Sequence, residues 1–145
     1  MSDRQTARQL NSGAIHVLRA LRLVDREAGV TAARLSALSV LVFGGPHSLG
    51  ALATAEDVTS PTMTRIVDGL ERDGLARRRA LPGPGRPVEV SATAKGRRLM
   101  DRAAGRRLDA LEAAFGQLSA ADQRRLRSAA PILDELATRL RTISP

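Results

Sequence analysis

The chain has no cysteine, tryptophan or tyrosine, only two phenylalanines, and a single lysine, Lys95. Without a thiol there is no disulfide framework, no thiolate metal site and no thiol-based redox sensing. The two histidines, His16 and His47, do not stand at ligand spacing, and the carboxylates near them read as ordinary helix-surface groups. No metal or other cofactor is therefore expected. No apolar run approaches the ~18 residues of a membrane span, and the polar start MSDRQTARQL predicts no secretory signal. The expectation is a soluble, cytoplasmic protein with no membrane partner.

A length of 145 residues at 43% hydrophobic content suits one domain with a real core. The net charge of +8, from 23 basic against 15 acidic residues, favours polyanionic partners without separating DNA from RNA or an anionic membrane. Every basic residue but Lys95 is arginine. GC-rich coding, which the many alanines also suggest, accounts for this as readily as selection of the bidentate guanidinium does. Each arginine must be judged by position.

Hydrophobic periodicity places a helix over about 3–27, with Leu10, Ala14, Val17, Leu18, Leu21 and Val24 on one stripe ended by Gly29. Thr31 can cap a second helix carrying Leu35, Leu38, Leu41 and Val42, stopped by Gly44-Gly45-Pro46. Ser48 caps a short third helix through Ala55. After the turn Glu56-Asp57-Val58-Thr59, Ser60 as N-cap with Pro61 at the first helical position opens a helix to about Asp73. Its buried face is Met63, Ile66, Val67 and Leu70. Residues 75–80 and 87–91 are candidate strands around the irregular Leu81-Pro82-Gly83-Pro84-Gly85. A long helix follows from about Ala94 to Leu118, with Leu99 or Met100 on its apolar side. Ser119 and Asp122 resemble a capping box for a last helix that contains Pro131, read as a kink or a break.

A short helix, a turn, a second helix and a β-ribbon form a winged helix-turn-helix. The fold class is mainly α with a small β-wing. The helix-turn-helix lies at about 48–73, the wing at about 75–91, and the whole DNA-binding unit at 31–98. Residues 94–118 form a connecting helix. The helices at 1–30 and 119–145 carry more apolar surface than such a unit needs, which predicts a homodimer; packing on their own domain is the alternative.

In the second helix of the motif, Ser60, Thr62, Thr64 and Arg65 stand exposed in the first turns, the part that would lead into a major groove. Hydroxyls can bond phosphates or base edges, and an arginine can fork onto guanine, worth ~1–3 kcal/mol of discrimination. Solvation or capping is the alternative for Thr62 and Thr64; for Arg65 it is an ion pair with Asp68. Arg77, Arg78 and Arg79 alternate along one strand, so at most two face the same way. Arg77 and Arg79 are taken as the phosphate contacts, with Arg78 solvated. Arg86, at the return of the Gly/Pro loop, suits the negative potential of a narrow minor groove. Lys95, Arg97 and Arg98 read as a solvated first turn, with added phosphate contacts as the alternative, and the pairs Arg106-Arg107 and Arg124-Arg125 as solvent-facing. Ser48 reads as a helix cap and not as a nucleophile beside His47, so no enzyme is expected.

The run Val58 to Leu75, VTSPTMTRIVDGLERDGL, followed by Gly85-Arg86 and by Val90 to Gly96, VSATAKG, resembles the MarR family of bacterial winged-helix regulators. The resemblance spans nearly the whole chain, and the motif from Ser60 to Leu75 is its most specific part. It implies a homodimer formed by the terminal helices, a pseudo-palindromic operator on double-stranded DNA, and usually repression. It also implies a possible small anionic or aromatic effector in a cleft between the dimerisation and DNA-binding parts. By position, Ser60, Thr62, Thr64 and Arg65 match the family's major-groove helix and Arg86 its minor-groove wing arginine. One departure stands out: Pro84 occupies the place where the family commonly has an aspartate, leaving the stiff Pro-Gly-Pro-Gly backbone to hold Arg86. A non-specific nucleoid binder and a protein-interaction module remain the alternative functions.

Overall fold

The computed structural model describes residues 1–143, so the last two positions of the predicted terminal segment, 144 and 145, lie outside the described residues. The chain divides into two units, residues 1–107 and residues 108–145.

In the first unit, helix α1 (Asp3–Asp25) opens with a capping box: Gln5 N–H donates to the Ser2 hydroxyl while the Gln5 side chain accepts from Ser2 N–H. A 3-10 turn (Arg26–Ala28) ends at Gly29, whose φ of 76° is the left-handed conformation that glycine adopts without penalty. Thr31 caps α2 (Ala32–Gly44), as its sequence predicts. β1 (His47–Ser48) precedes α3 (Leu49–Ala55), and the Ser48 hydroxyl accepts from Ala51 N–H at 3.1 Å. In the turn that follows, Asp57 adopts φ 51°, one of the few non-glycine types that tolerate it. α4 (Ser60–Arg72) is capped by Thr59, not Ser60. The cap sits one residue earlier because Thr59 has the extended backbone while Ser60 is already helical. β2 (Ala76–Ala80) and β3 (Val88–Ala92) follow, each displaced by one residue from the expected strand start.

The strands form an antiparallel sheet in the order β1-β3-β2, with His47 opposite Val90 and Arg78 also opposite Val90 on the other side. β1 is absent from the sequence reading because two residues carry no periodicity. Leu38 of α2, Leu52 of α3, Met63, Val67 and Leu70 of α4, Leu75, and Val90 of β3 are completely enclosed. Burial of each such side chain contributes roughly 1.5–3 kcal/mol of transfer free energy. Val58, from the turn, packs on the edge of this cluster. The apolar stripe of α4 thus fixes which of its residues face outward.

α5 (Ala94–Gly116) is seated by an unusually close approach. A Cβ on Gly96 would lie 2.1 Å from the Leu75 carbonyl oxygen, so only glycine fits. Thr93 reinforces the junction, donating its hydroxyl to Gly74 O at 2.6 Å and accepting from Gly96 N–H at 3.1 Å.

In the second unit, Ser119 caps α6 (Ala120–Ile143), accepting from Asp122 N–H at 3.1 Å and donating to its carboxylate at 2.7 Å. The helix continues through Pro131 without a break. Arg127 lies over the Phe115 ring, 4.9 Å from its centre. No single helix among the described residues is long and apolar enough to cross a membrane.

Candidate nucleic-acid interface

Met63, Val67 and Leu70 turn inward, so the opposite face of α4 presents Ser60, Thr62 and Arg65 to solvent with Thr64 half-buried between them. Thr59 accepts from Thr62 N–H and donates its hydroxyl to Thr62 Oγ1 at 2.9 Å. The Thr62 hydroxyl proton therefore remains available to an outside acceptor. Thr64 donates its hydroxyl to Ser60 O at 3.0 Å, leaving it to act outward as an acceptor. The N-terminus of α4, with Pro61 at its second position, adds the positive end of the helix dipole. The arrangement suits polyanions and hydrogen-bonding base edges.

Asp68 is not the partner of Arg65. Its Oδ1 accepts from Arg78 at 2.7 Å, and Arg65 has no ion-pair partner among the described residues. Arg78 also bonds the Glu71 carboxylate through its guanidinium, and its backbone N–H donates to Glu71 Oε1 at 2.7 Å. The expectation that Arg78 is solvated is thus overturned. The strand's alternation turns it toward the core side, opposite buried Val90, where the acids of α4 meet it. Burial disfavours its charge, yet the Asp68 hydrogen bond and the Glu71 charge outweigh that and raise its pKa.

Arg77 and Arg79 emerge together on the other face of β2, both exposed, with Arg79 opposite Glu89. The loop from Leu81 to Pro87 turns through left-handed glycines, Gly83 at φ 107° and Gly85 at φ 72°. Arg86 is exposed there, and its Cγ lies at ordinary van der Waals distance, 3.6 Å, from where a Cβ on Gly83 would stand. The seven residues Ser60, Thr62, Thr64, Arg65, Arg77, Arg79 and Arg86 thus occupy the outward faces of α4 and the wing.

Other basic residues are less free than the sequence suggests. Lys95 Nζ donates to Asp73 O at 2.8 Å and Arg97 to Ala92 O at 3.1 Å, so both tie α5 to the motif while remaining exposed to solvent, as the sequence suggests. Arg107 is only partly solvent-facing, because it grips Asp25 through two hydrogen bonds. Its neighbour Arg106 approaches Glu27 at 3.9 Å. Hydrogen bonding from Arg107 lowers the Asp25 pKa despite the burial that would raise it. The partners of Lys95, Arg106 and Arg107 are tens of residues away in sequence, beyond the reach of any local pattern.

Arg34 escapes the sequence reading altogether. From α2 it crosses Gly69 and reaches Asp73 at 3.3 Å; a Cβ on Gly69 would lie 2.3 Å from its Nε. A glycine on the buried face of an otherwise good helix was the available signal for a close approach.

A helix-turn-helix whose second helix displays polar first turns, joined to a basic β-ribbon, defines a winged-helix DNA-binding protein. Residues 30–88 match the sequence profile of the MarR family. Over 132 residues, 91% of this chain and 92% of the relative, the chain is 33% identical to an uncharacterised HTH-type transcriptional regulator of Mycobacterium bovis. It is likewise 33% identical to an uncharacterised HTH-type transcriptional regulator of Mycobacterium leprae, with 93% and 94% covered. A transcriptional regulator from Thermotoga maritima superposes with a TM-score of 0.80 at 25% identity, covering 98% of this chain and all of that one. The chain belongs to the MarR family, whose members are DNA-binding transcriptional regulators and not enzymes.

Proposed function

We propose that this regulator is a repressor that binds a pseudo-palindromic operator as a homodimer. The observation that carries the sequence-specific part is Arg65, exposed on the leading turns of α4 and without an ion-pair partner among the described residues. Ser60, Thr62 and Thr64 contact DNA beside it, Arg77 and Arg79 meet phosphates, and Arg86 enters the minor groove. Residues 31–98 read the DNA, residues 94–118 connect, and residues 1–30 and 119–145 dimerise.

The apolar surface of the terminal helices supports the dimer. Neither α1 nor α6 has a fully buried residue. Leu18 and Leu23 in α1 are more than half exposed, as are Ile132 and Leu140 in α6. Apolar surface on that scale is covered by a partner in a stable protein, and a second copy carries the matching faces. Dimer symmetry then sets two half-sites about 10 bp apart, centre to centre, or a multiple of that.

A small anionic effector fits a cleft of about 660 Å³ among α1, α2 and α5. Leu35, Phe43 and Met100 supply apolar wall, Ser36 and Ser39 hydroxyls, and Arg22 a cation. Arg107 also lines it but is engaged by Asp25, which leaves Arg22 as the anion's partner. That one of the chain's two rings, Phe43, lines the cleft supports an aromatic carboxylate as the effector. Occupancy would release DNA only by favouring a conformation in which the recognition helices misfit their grooves.

The test is anisotropy titration of a palindrome from the protein's own promoter and of a scrambled duplex at two salt concentrations. Tighter binding to the palindrome is expected. Equal affinities would make the protein a general nucleoid binder, and no binding at low salt an interaction module.

A further inference from the structure

Asp68 stands three residues after Arg65, a spacing that makes their side chains neighbours on one helix face. A carboxylate there competes for the guanidinium that would otherwise reach a base, and it repels phosphate. Asp68 is instead committed to Arg78 at 2.7 Å, and Glu71 is committed to the same guanidinium.

We propose that Arg78 is a positioning residue for DNA recognition: by holding Asp68 and Glu71 it leaves Arg65 free to read the operator. Arg78 is poorly placed to touch DNA itself. Its side chain is 25% exposed, and the pleat of β2 points it away from the face bearing Arg77 and Arg79. The clamp has two separable parts. Glu71 is also anchored by the Arg78 backbone N–H, a bond that any residue but proline can keep at that position. Replacing the side chain therefore releases Asp68 while β2 stays attached to α4. Freed, Asp68 has two neighbouring arginines without an ion-pair partner among the described residues. These are Arg72 at i+4, whose Nε donates to the Asp68 carbonyl, and Arg65 at i−3. A turn to Arg65 takes the guanidinium away from the base.

This inference rests on Arg65 reading a base, so the experiment separates the two. A duplex is enriched from a random pool by the wild-type protein, and affinities for it and for a scrambled duplex are measured for five proteins. These are wild type, Arg65→Ala, Arg78→Met, Asp68→Asn and the double variant Asp68→Asn with Arg78→Met. Arg65→Ala should lower the ratio of the two affinities about tenfold, the scale of one lost bidentate contact. Arg78→Met should lower it by a similar factor with the salt dependence unchanged. Asp68→Asn alone should leave the ratio as it is, and in the double variant the ratio should return.

If no duplex is enriched, or Arg65→Ala keeps the preference, the base-reading role of Arg65 falls and the proposal falls with it. If Arg65→Ala behaves as expected but Arg78→Met keeps the preference, the proposal alone is overturned. A salt slope lower by about one for Arg78→Met would overturn it too, marking a direct phosphate contact. Failure of Asp68→Asn to restore the ratio would likewise overturn it. Should Arg78→Met not fold, Arg78→Gln with and without Asp68→Asn, checked by thermal melting, carries the same comparison.

Discussion

Arg107 and Asp25, 82 positions apart in the chain, meet side by side, with Nε 2.7 Å from one carboxylate oxygen and a second bond to the other. The pair ties the end of α1 to α5 within the first unit and borders the cleft that Arg22 lines. It leaves Asp25 almost covered while Arg107 is 41% exposed.

Asp25→Asn should lower stability by about 1 kcal/mol, a charge-assisted pair discounted for the exposure of Arg107. Urea unfolding at neutral pH measures this. Because the folded state holds Asp25 below its ordinary pKa of 3.8, the stabilisation is present above that value and is lost as pH falls below it. The urea midpoints of wild type and Asp25→Asn should therefore converge on acidification below that value; a constant gap would mean the charge is not what matters.

Gly96→Ala should be among the most damaging single-methyl additions, costing about 3 kcal/mol or more, because its Cβ meets a backbone oxygen that cannot rotate away. Gly105→Ala, in the same helix with nothing within 4 Å, should instead stabilise by roughly 0.5–1 kcal/mol. Chemical denaturation of the two variants makes the comparison, and similar effects at both positions would refute the close-approach account.

Arg86→Ala should weaken binding by about 1 kcal/mol on duplexes with A·T pairs flanking each half-site, and by less where the flanks are G·C. Competition titrations with the two flank types report it. An equal loss on both would assign Arg86 to phosphate.

Leu133→Glu, on a helix without a fully buried residue, should shift the protein toward monomer in sedimentation velocity and weaken operator binding by at least tenfold. A monomeric wild type would remove the basis for a palindromic site.

Arg22→Ala should leave DNA affinity unchanged when no effector is present. It should abolish release by any small aromatic carboxylate that dissociates the wild-type complex. Continued release by the same compound would place its site elsewhere.

Much of this protein is determined by local sequence alone. Thr31 and Ser48 cap their helices as their types require, and the buried stripe Met63, Val67 and Leu70 sets the outward face of α4 by helical period. Strand alternation likewise put Arg77 and Arg79 together. These features depend on contacts within a few residues, which a linear pattern encodes. Only the tertiary structure decided which charges are spent. The acids that hold Arg78 come from the preceding helix, and Asp25 reaches Arg107 from the far end of the first unit. Arg34 packs across Gly69 from an earlier helix, and the two-residue β1 forms only because β3 is there to pair it. An ion pair is set by distance in space, and the same arginine is solvated, clamped or free according to which carboxylate the fold carries to it.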